Sequence, residues 1–240
     1  GGSFFGFAIF PNVKNSNVKA AYLAQDGLGL PDSDYYTKDD EKSVEVQTKY
    51  KAFIANLLVI KGMTAENAKS QAEAIYMLEY EMATASMNST ESRDLAKQYN
   101  PYSLADLSTL APSIDWTTYF KGMGISGVDT FIVMQPKFIQ KMEEILGKND
   151  VTVWKNYLTY KTMSNYAGYL NAEMVQTNFD FYGTELSGTT QMRDRWKRVL
   201  GSTNRYVGEA IGKLYVDAVF PPEAKATAKS MVNNILAAMK

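Results

Sequence analysis

Val46, Tyr50, Phe53, Ile54, Leu57 and Leu58 recur at three- and four-residue spacing, the period of a helix that buries one stripe. Asp39, Asp40 and Glu41 precede this run, where the partial positive charge of a helix start favours acids, and Gly62 follows it as a stop. Thr64 is an N-cap for a second long helix through about Met87, with Ile75, Leu78, Met82 and Ala85 along one face. Two such helices joined by two or three residues must lie antiparallel. The fold class that follows is mainly α, a multi-helix domain of long antiparallel helices.

A minor β element precedes them. "FFGFAIF" and "VKAAYLAQ" read as strands separated by "PNVKNSN", whose Pro and three Asn are turn formers, so a β-hairpin is expected over about 4–24. "TFIVMQP" is the other plausible strand and would join the hairpin as a small sheet. Further helices are expected over 103–123, in shorter pieces capped by Ser103 and Asp115, over 136–182 in three segments, over 189–219, and over 222–239 with Pro222 in the first turn. No repeat or linker-like Gly/Ser run interrupts the chain, which reads as one unit over 1–240.

Composition removes whole classes of chemistry. The 240 residues contain no histidine and no cysteine, so histidine-dependent triads, paired-histidine zinc sites, disulfides and thiolate sites are excluded within the chain. Net charge is −1, with 25 basic and 26 acidic residues, which provides no field for a nucleic-acid backbone. No segment reaches the roughly 18–20 apolar residues of a membrane span.

"QDGLGLPDSDYY", residues 25–36, imitates two ligand sites and fits neither. Asp32 stands where a dinucleotide fingerprint needs its third glycine, and Thr37 stands where a calcium loop starting at Asp32 needs one. A tight loop is expected, with Tyr35 and Tyr36 pinning it to the core. Glu79 and Glu81 are the closest candidate carboxylate pair, but residues two apart on a helix point to different faces. Glu79 falls on the apolar side, which calls for a basic partner, and Arg93 or Arg195 is the expected one. "RDRWKR", 193–198, reads as a solvated helix face around one aromatic anchor, Trp196. Asn88-Ser89-Thr90 matches a glycosylation sequon.

Four colinear segments, "LAQDGLGLPDSDYY", "YNPYSLADLSTLAPSIDW", "NFDFYGTELSGTTQMRDRWKRV" and "VGEAIGKLYVDAVFPPEAKA", resemble the neprilysin-like zinc metallopeptidases, and their lack of cysteine resembles the bacterial branch. The resemblance implies a peptide-cleaving parent about three times as long. In that family a helical domain closes over a thermolysin-like domain around a cavity that admits peptides and excludes folded proteins. This chain resembles the helical cover. The parent would use zinc and act on peptides, on the periplasmic or extracellular side of a cell envelope, and the rest of the peptidase chain would be this chain's partner.

None of the family's functional residues carries over. Its His-Glu-x-x-His needs histidine, no Glu here has an Asp four places on, and Asn171-Ala172 continues to Glu173 where the substrate clamp has an aromatic residue. Catalytic, cofactor and metal residues are therefore expected to be none, and the chain alone is expected to be inactive. The missing initiator Met and the terminal helix "NNILAAMK" suggest a piece of a longer protein. The alternative expectation is a free-standing helical binding module.

Overall fold

A computed structural model describes residues 4–239; Gly1–Ser3 and Lys240 lie outside the described residues. The sequence reads as one unit, whereas packing groups the chain into two compact units, Gly1–Thr190 and Gln191–Lys240.

The first unit begins with the hairpin. Strands β1 (Phe5–Asn12) and β2 (Asn15–Gln25) pair antiparallel from Phe5–Gln25 to Pro11–Lys19. The strands run through the Pro/Asn stretch expected to be a broad turn, leaving only Val13 and Lys14 between them. The Tyr22 hydroxyl accounts for part of this, because it accepts from the Val13 N–H at 3.3 Å and donates to the Pro11 carbonyl at 3.2 Å.

Strands β3 (Pro101–Tyr102) and β4 (Phe131–Val133) complete a four-stranded sheet of order β1-β2-β4-β3, with β4 parallel to β2. Ala21 and Leu23 on β2 join Phe131 and Val133 on β4 in the core, the i, i+2 pattern of one sheet face.

The helices follow their caps. A short turn α1 (Asp34–Thr37) leads to α2 (Glu41–Ile60), capped by Asp40, whose carboxylate accepts from the Ser43 N–H at 3.1 Å. Gly62 has φ +108°, and its position past the helix end lets the Met63 N–H return to the Leu58 carbonyl. Thr64 then caps α3 (Ala65–Ala85). Tyr50 meets Glu79 and Lys51 meets Glu73 across the pair, as antiparallel neighbours do.

The 103–123 stretch forms two short helices, with the expected caps. α4 (Leu104–Leu110) carries a reciprocal Ser103/Asp106 capping box, and α5 (Trp116–Gly122) starts at Asp115. Pro112 lies between them, and a proline there cannot supply a helical N–H. Trp116 returns across the break, its Nε1 donating to the Ala111 carbonyl at 3.1 Å. Phe120 stacks on Phe131 at 4.3 Å between ring centres and locks α5 to the sheet.

Beyond the sheet come α6 (Pro136–Lys148), α7 (Val151–Tyr166) and α8 (Ala172–Asn178). A π-helical segment, Phe179–Glu185, continues from α8.

The second unit contains α9 (Arg195–Val219) and α10 (Pro222–Ala238). Helix α9 starts six residues later than expected and is kinked at Val207 (φ −133°). Neither helix contains a buried residue. Among the described residues, no helix is long and apolar enough to cross a membrane.

The α2–α3 seam carries much of the first unit's apolar burial. Leu57 is fully buried, so Leu57→Ala is expected to cost about 2–5 kcal/mol, read as a lower urea midpoint with an unchanged slope.

Candidate functional site: a buried glutamate among tyrosines

Glu79 on α3 has no solvent exposure. Its Oε2 accepts from the Tyr36 hydroxyl at 2.8 Å and the Tyr50 hydroxyl at 2.5 Å, while Oε1 has no hydrogen-bond partner. Each tyrosine has a single proton, and that fixes the direction of the rest of the network. Tyr36 accepts from the N–H groups of Gly29 (3.0 Å) and Leu30 (2.9 Å). Tyr50, having given its proton to Glu79, accepts from Tyr160 at 2.6 Å.

The same cluster grips the loop from Gly27 to Leu30 by its backbone. Tyr157 donates to the Gly27 carbonyl at 2.6 Å, buried Lys161 to the Leu28 carbonyl at 2.9 Å, and Tyr182 to the Gly29 carbonyl at 3.0 Å. Three consecutive carbonyls are thus held by side chains from α7 and the π-helical segment. This geometry is what the two glycines serve. Gly27 sits at φ +95°, where L-residues are strained. Gly29 is required for space, since a Cβ there would lie 1.8 Å from the Tyr50 hydroxyl and 2.6 Å from that of Tyr160.

Burial pushes the Glu79 carboxyl above the usual carboxylate range, opposed by the Lys161 ammonium, the Tyr50 and Tyr36 hydroxyls and the Gly29 N–H. Burial, then the Glu79 charge, raises Tyr36 and Tyr50 well above the ordinary phenol value. The expectation that Glu79 pairs with Arg93 or Arg195 is corrected. Both arginines are exposed, and the partners are two hydroxyls with Lys161 as the nearby cation. The helical period identified the buried face of α3, but it carries no information about which distant residues reach that face.

The other residues singled out from sequence have structural employment. Asp32 accepts from the Asp34 N–H at 2.9 Å and the Ser89 N–H at 2.6 Å; burial raises its carboxyl, but these N–H groups win and hold it below the ordinary value. Asp34 pairs with Lys38 at 2.9 Å. Glu81 points away from Glu79 and pairs with Lys148 at 2.8 Å.

Asn88 uses its side-chain oxygen to accept from Thr90 and Glu91, and Asn171 caps α8. Trp196 is not an anchor, being 63% exposed, with Lys197 over its ring.

Among the described residues, no three His, Cys, Asp or Glu side chains converge to hold a metal. The unpartnered Glu79 Oε1 offers no alternative, because a lone carboxylate beside an ammonium and phenols is the wrong donor set for zinc.

The architecture, long helices over a small sheet, defines a class of known domain. It superposes on the zinc metalloprotease Zmp1 of Mycobacterium tuberculosis in its open state with a TM-score of 0.86 and 30% identity, over 98% of this chain and 36% of that one. The fold is also that of PepO from Lactobacillus rhamnosis (TM-score 0.84, 19% identity, 98% of this chain and 37% of that one). Within that class, the N-terminal model of peptidase family M13 matches residues 1–240, and the chain belongs to this family.

Relatives include Neprilysin-3 of Drosophila melanogaster, 26% identical over 98% of this chain and 31% of its own length. Human endothelin-converting enzyme 1 is 25% identical over 97% of this chain and 31% of its own length. The chain spans about a third of the length of these relatives.

The close approach at Gly29 gives a direct check of the cluster. Gly29→Ala is expected to destabilise by about 1–3 kcal/mol through overpacking against Tyr50 and Tyr160, measured by urea unfolding. Gly147→Ala, where a Cβ meets nothing within 4 Å, is the control and should not destabilise.

Proposed function

We propose that this chain is the non-catalytic helical part of a neprilysin-like zinc metalloendopeptidase, forming wall for the peptide-binding cavity and restricting substrates by size. The observation that carries this is the M13 match along all 240 residues in a chain without histidine or cysteine, whose described residues bring no metal-holding group together. Zinc would polarise the scissile carbonyl and activate water in such a peptidase, and its ligands would come from outside these residues. The contribution of this chain is shape and access, a gating role.

The unit Gln191–Lys240 supports a partner surface. Trp196, Leu200, Leu214, Tyr215, Ile235 and Leu236 are all 48% or more exposed, and the spacing within α9 places apolar residues along a stripe. Apolar surface of this kind marks interaction sites. The partner in this reading is the remainder of a peptidase chain, and the substrates are peptides met on the periplasmic or extracellular side of the envelope.

Metal analysis of the purified 240-residue chain is expected to find no stoichiometric zinc, and peptide-hydrolysis assays no turnover. One tightly bound zinc per chain would contradict the non-catalytic assignment. Joined to a zinc-binding half, the assembly should cut short peptides and spare folded proteins; equal cleavage of both would sink the size-restriction reading.

A further inference from the structure

We propose that β1 is a dimerisation strand, whose open edge pairs antiparallel with β1 of a second copy of this chain about a twofold axis at Ala8. The inference concerns the first unit alone and is independent of the peptidase reading.

β1 is an outer strand of the sheet, bonded to β2 on one side only. In an antiparallel pair every second residue turns its N–H and C=O away from its neighbour. Among the described residues, no backbone group outside the hairpin bonds to Phe5–Asn12. The result is a row of donors and acceptors on which another strand can form.

The two edges of the sheet are handled differently. β3 is two residues long and begins with Pro101, both of which blunt an edge. β1 is eight residues long, and from Phe4 to Val13 the sequence has no charged side chain; its proline stands only at position 11. Lys14, the next cation along the chain, lies over the Tyr99 ring. Asp26, the acid beside Gly6, accepts from the Gly27 N–H at 2.7 Å. Ile9 and Phe10, on opposite faces of the strand, are 48% and 59% exposed.

The partner this edge fits is its own copy. An uncharged strand neither repels nor selects by charge, so the match is one of size. With Ala8 on the axis, Gly6 faces the partner's Phe10, and Phe7 faces the partner's Ile9. Gly6, Ala8 and Phe10 share a face with Ala20, Tyr22 and Ala24. The small residues there leave a shallow trough beside the Phe10 and Tyr22 rings, which lie 6.3 Å apart, and the partner's Phe10 would fill it over Gly6. On the other face Phe5 and Phe7 rest on α5, at 5.5 Å from Trp116 and 5.7 Å from Phe120. The strand is therefore held extended before a partner arrives, which lowers the ordering cost of pairing. Phe5 faces the partner's Pro11, whose missing N–H ends the ladder.

Closure follows from the same contrast between edges. Pairing consumes β1 of both copies and leaves β3 at both ends of the two joined four-stranded sheets, so growth stops at a dimer. A strand pair buries less than the roughly 1,200 Å² of a stable interface, which makes the dimer reversible, with Kd on the order of 10 μM.

The test is sedimentation velocity of the full chain from about 1 to 200 μM, for the parent, Phe10→Lys and Ile9→Lys, with circular dichroism to show that each variant is folded. The parent is expected to dimerise, and each lysine to raise Kd at least about tenfold. Cross-linking reads the register, since the chain has no cysteine of its own. Ala8→Cys, on the axis, is expected to form a disulfide-linked dimer at least about tenfold faster under mild oxidation than Phe10→Cys, which meets Gly6 across the axis. If neither lysine variant folds, this comparison decides. A parent that stays monomeric, leaving the edge to a different segment, overturns the proposal, as does assembly beyond a dimer. So does a dimer that both lysine variants leave intact, one that Leu214→Lys on α9 dissolves instead, or equal cross-linking of the two cysteine variants.

Discussion

Burying a carboxyl among aromatic rings is tolerated only if the surroundings supply what water supplied, and at Glu79 two phenols supply it to Oε2 while Oε1 has no hydrogen-bond partner, within a network drawn from several places in the chain. Tyr36, Tyr50, the Gly29–Leu30 backbone and Tyr160 lie up to 131 positions apart by number yet share one hydrogen-bonded group with Glu79, and Lys161 holds the adjoining Leu28 carbonyl. Each link constrains an element: Tyr36 fixes α1, Tyr50 fixes the register of α2 on α3, and Tyr160 and Lys161 set the rotation of α7. Because a buried network is costly when half satisfied, these placements are coupled. A helix that slid by one residue would leave a buried hydroxyl or carbonyl unmatched.

Around this polar centre the aromatic rings supply apolar contact. Phe53 stacks on Phe181 at 5.0 Å, Tyr50 lies 5.4 Å from Phe181, and Tyr182 meets Phe53 edge-on. The π-helical segment makes this possible by widening the turn that carries Phe181 and Tyr182. Gly183 allows the widened turn to close, since a Cβ there would lie 2.6 Å from the Phe179 ring. Phe120, Phe131 and Trp116 build a second aromatic group that joins the sheet to α5. Helices α9 and α10 have no comparable interior, which is why their apolar residues are surface.

The sequence announces the elements whose signals are local. Asp40, Thr64, Ser103, Asp115 and Asn171 are N-caps in the structure, because a cap is a contact within three residues. The hairpin and β4 are legible for the same reason, through alternation and turn formers. Strand β3, two residues long, and the π-helical segment leave no periodicity to find. The candidate site is half visible: helical period places Glu79 on a buried face and the loop's turn chemistry places Tyr36 against the core, but long-range pairing chooses tyrosines and Lys161 over the expected arginines. Trp196 misled because aromatic character suggests burial, while exposure is decided by what lies opposite. Gly29 is legible as a loop residue, but the reason it must be glycine, the approach of Tyr50 and Tyr160, is tertiary.

An apolar residue at 79 would avoid the desolvation of a carboxyl, yet it would not be a neutral exchange in this setting. Tyr36 would hold a buried hydroxyl proton with no acceptor, Tyr50 could donate only to Tyr160 and would then reverse the bond it now accepts, and an unpaired buried polar group costs about 1–3 kcal/mol. Tyr36 could satisfy itself only by abandoning the Gly29 and Leu30 N–H groups, and the loop would lose the contact that fixes its path. Replacing the phenols too would remove the donors but also the directional contacts that tell one loop conformation from another. The glutamate thus acts through specificity: it makes the position of the Gly27–Leu30 backbone depend on three helices at once.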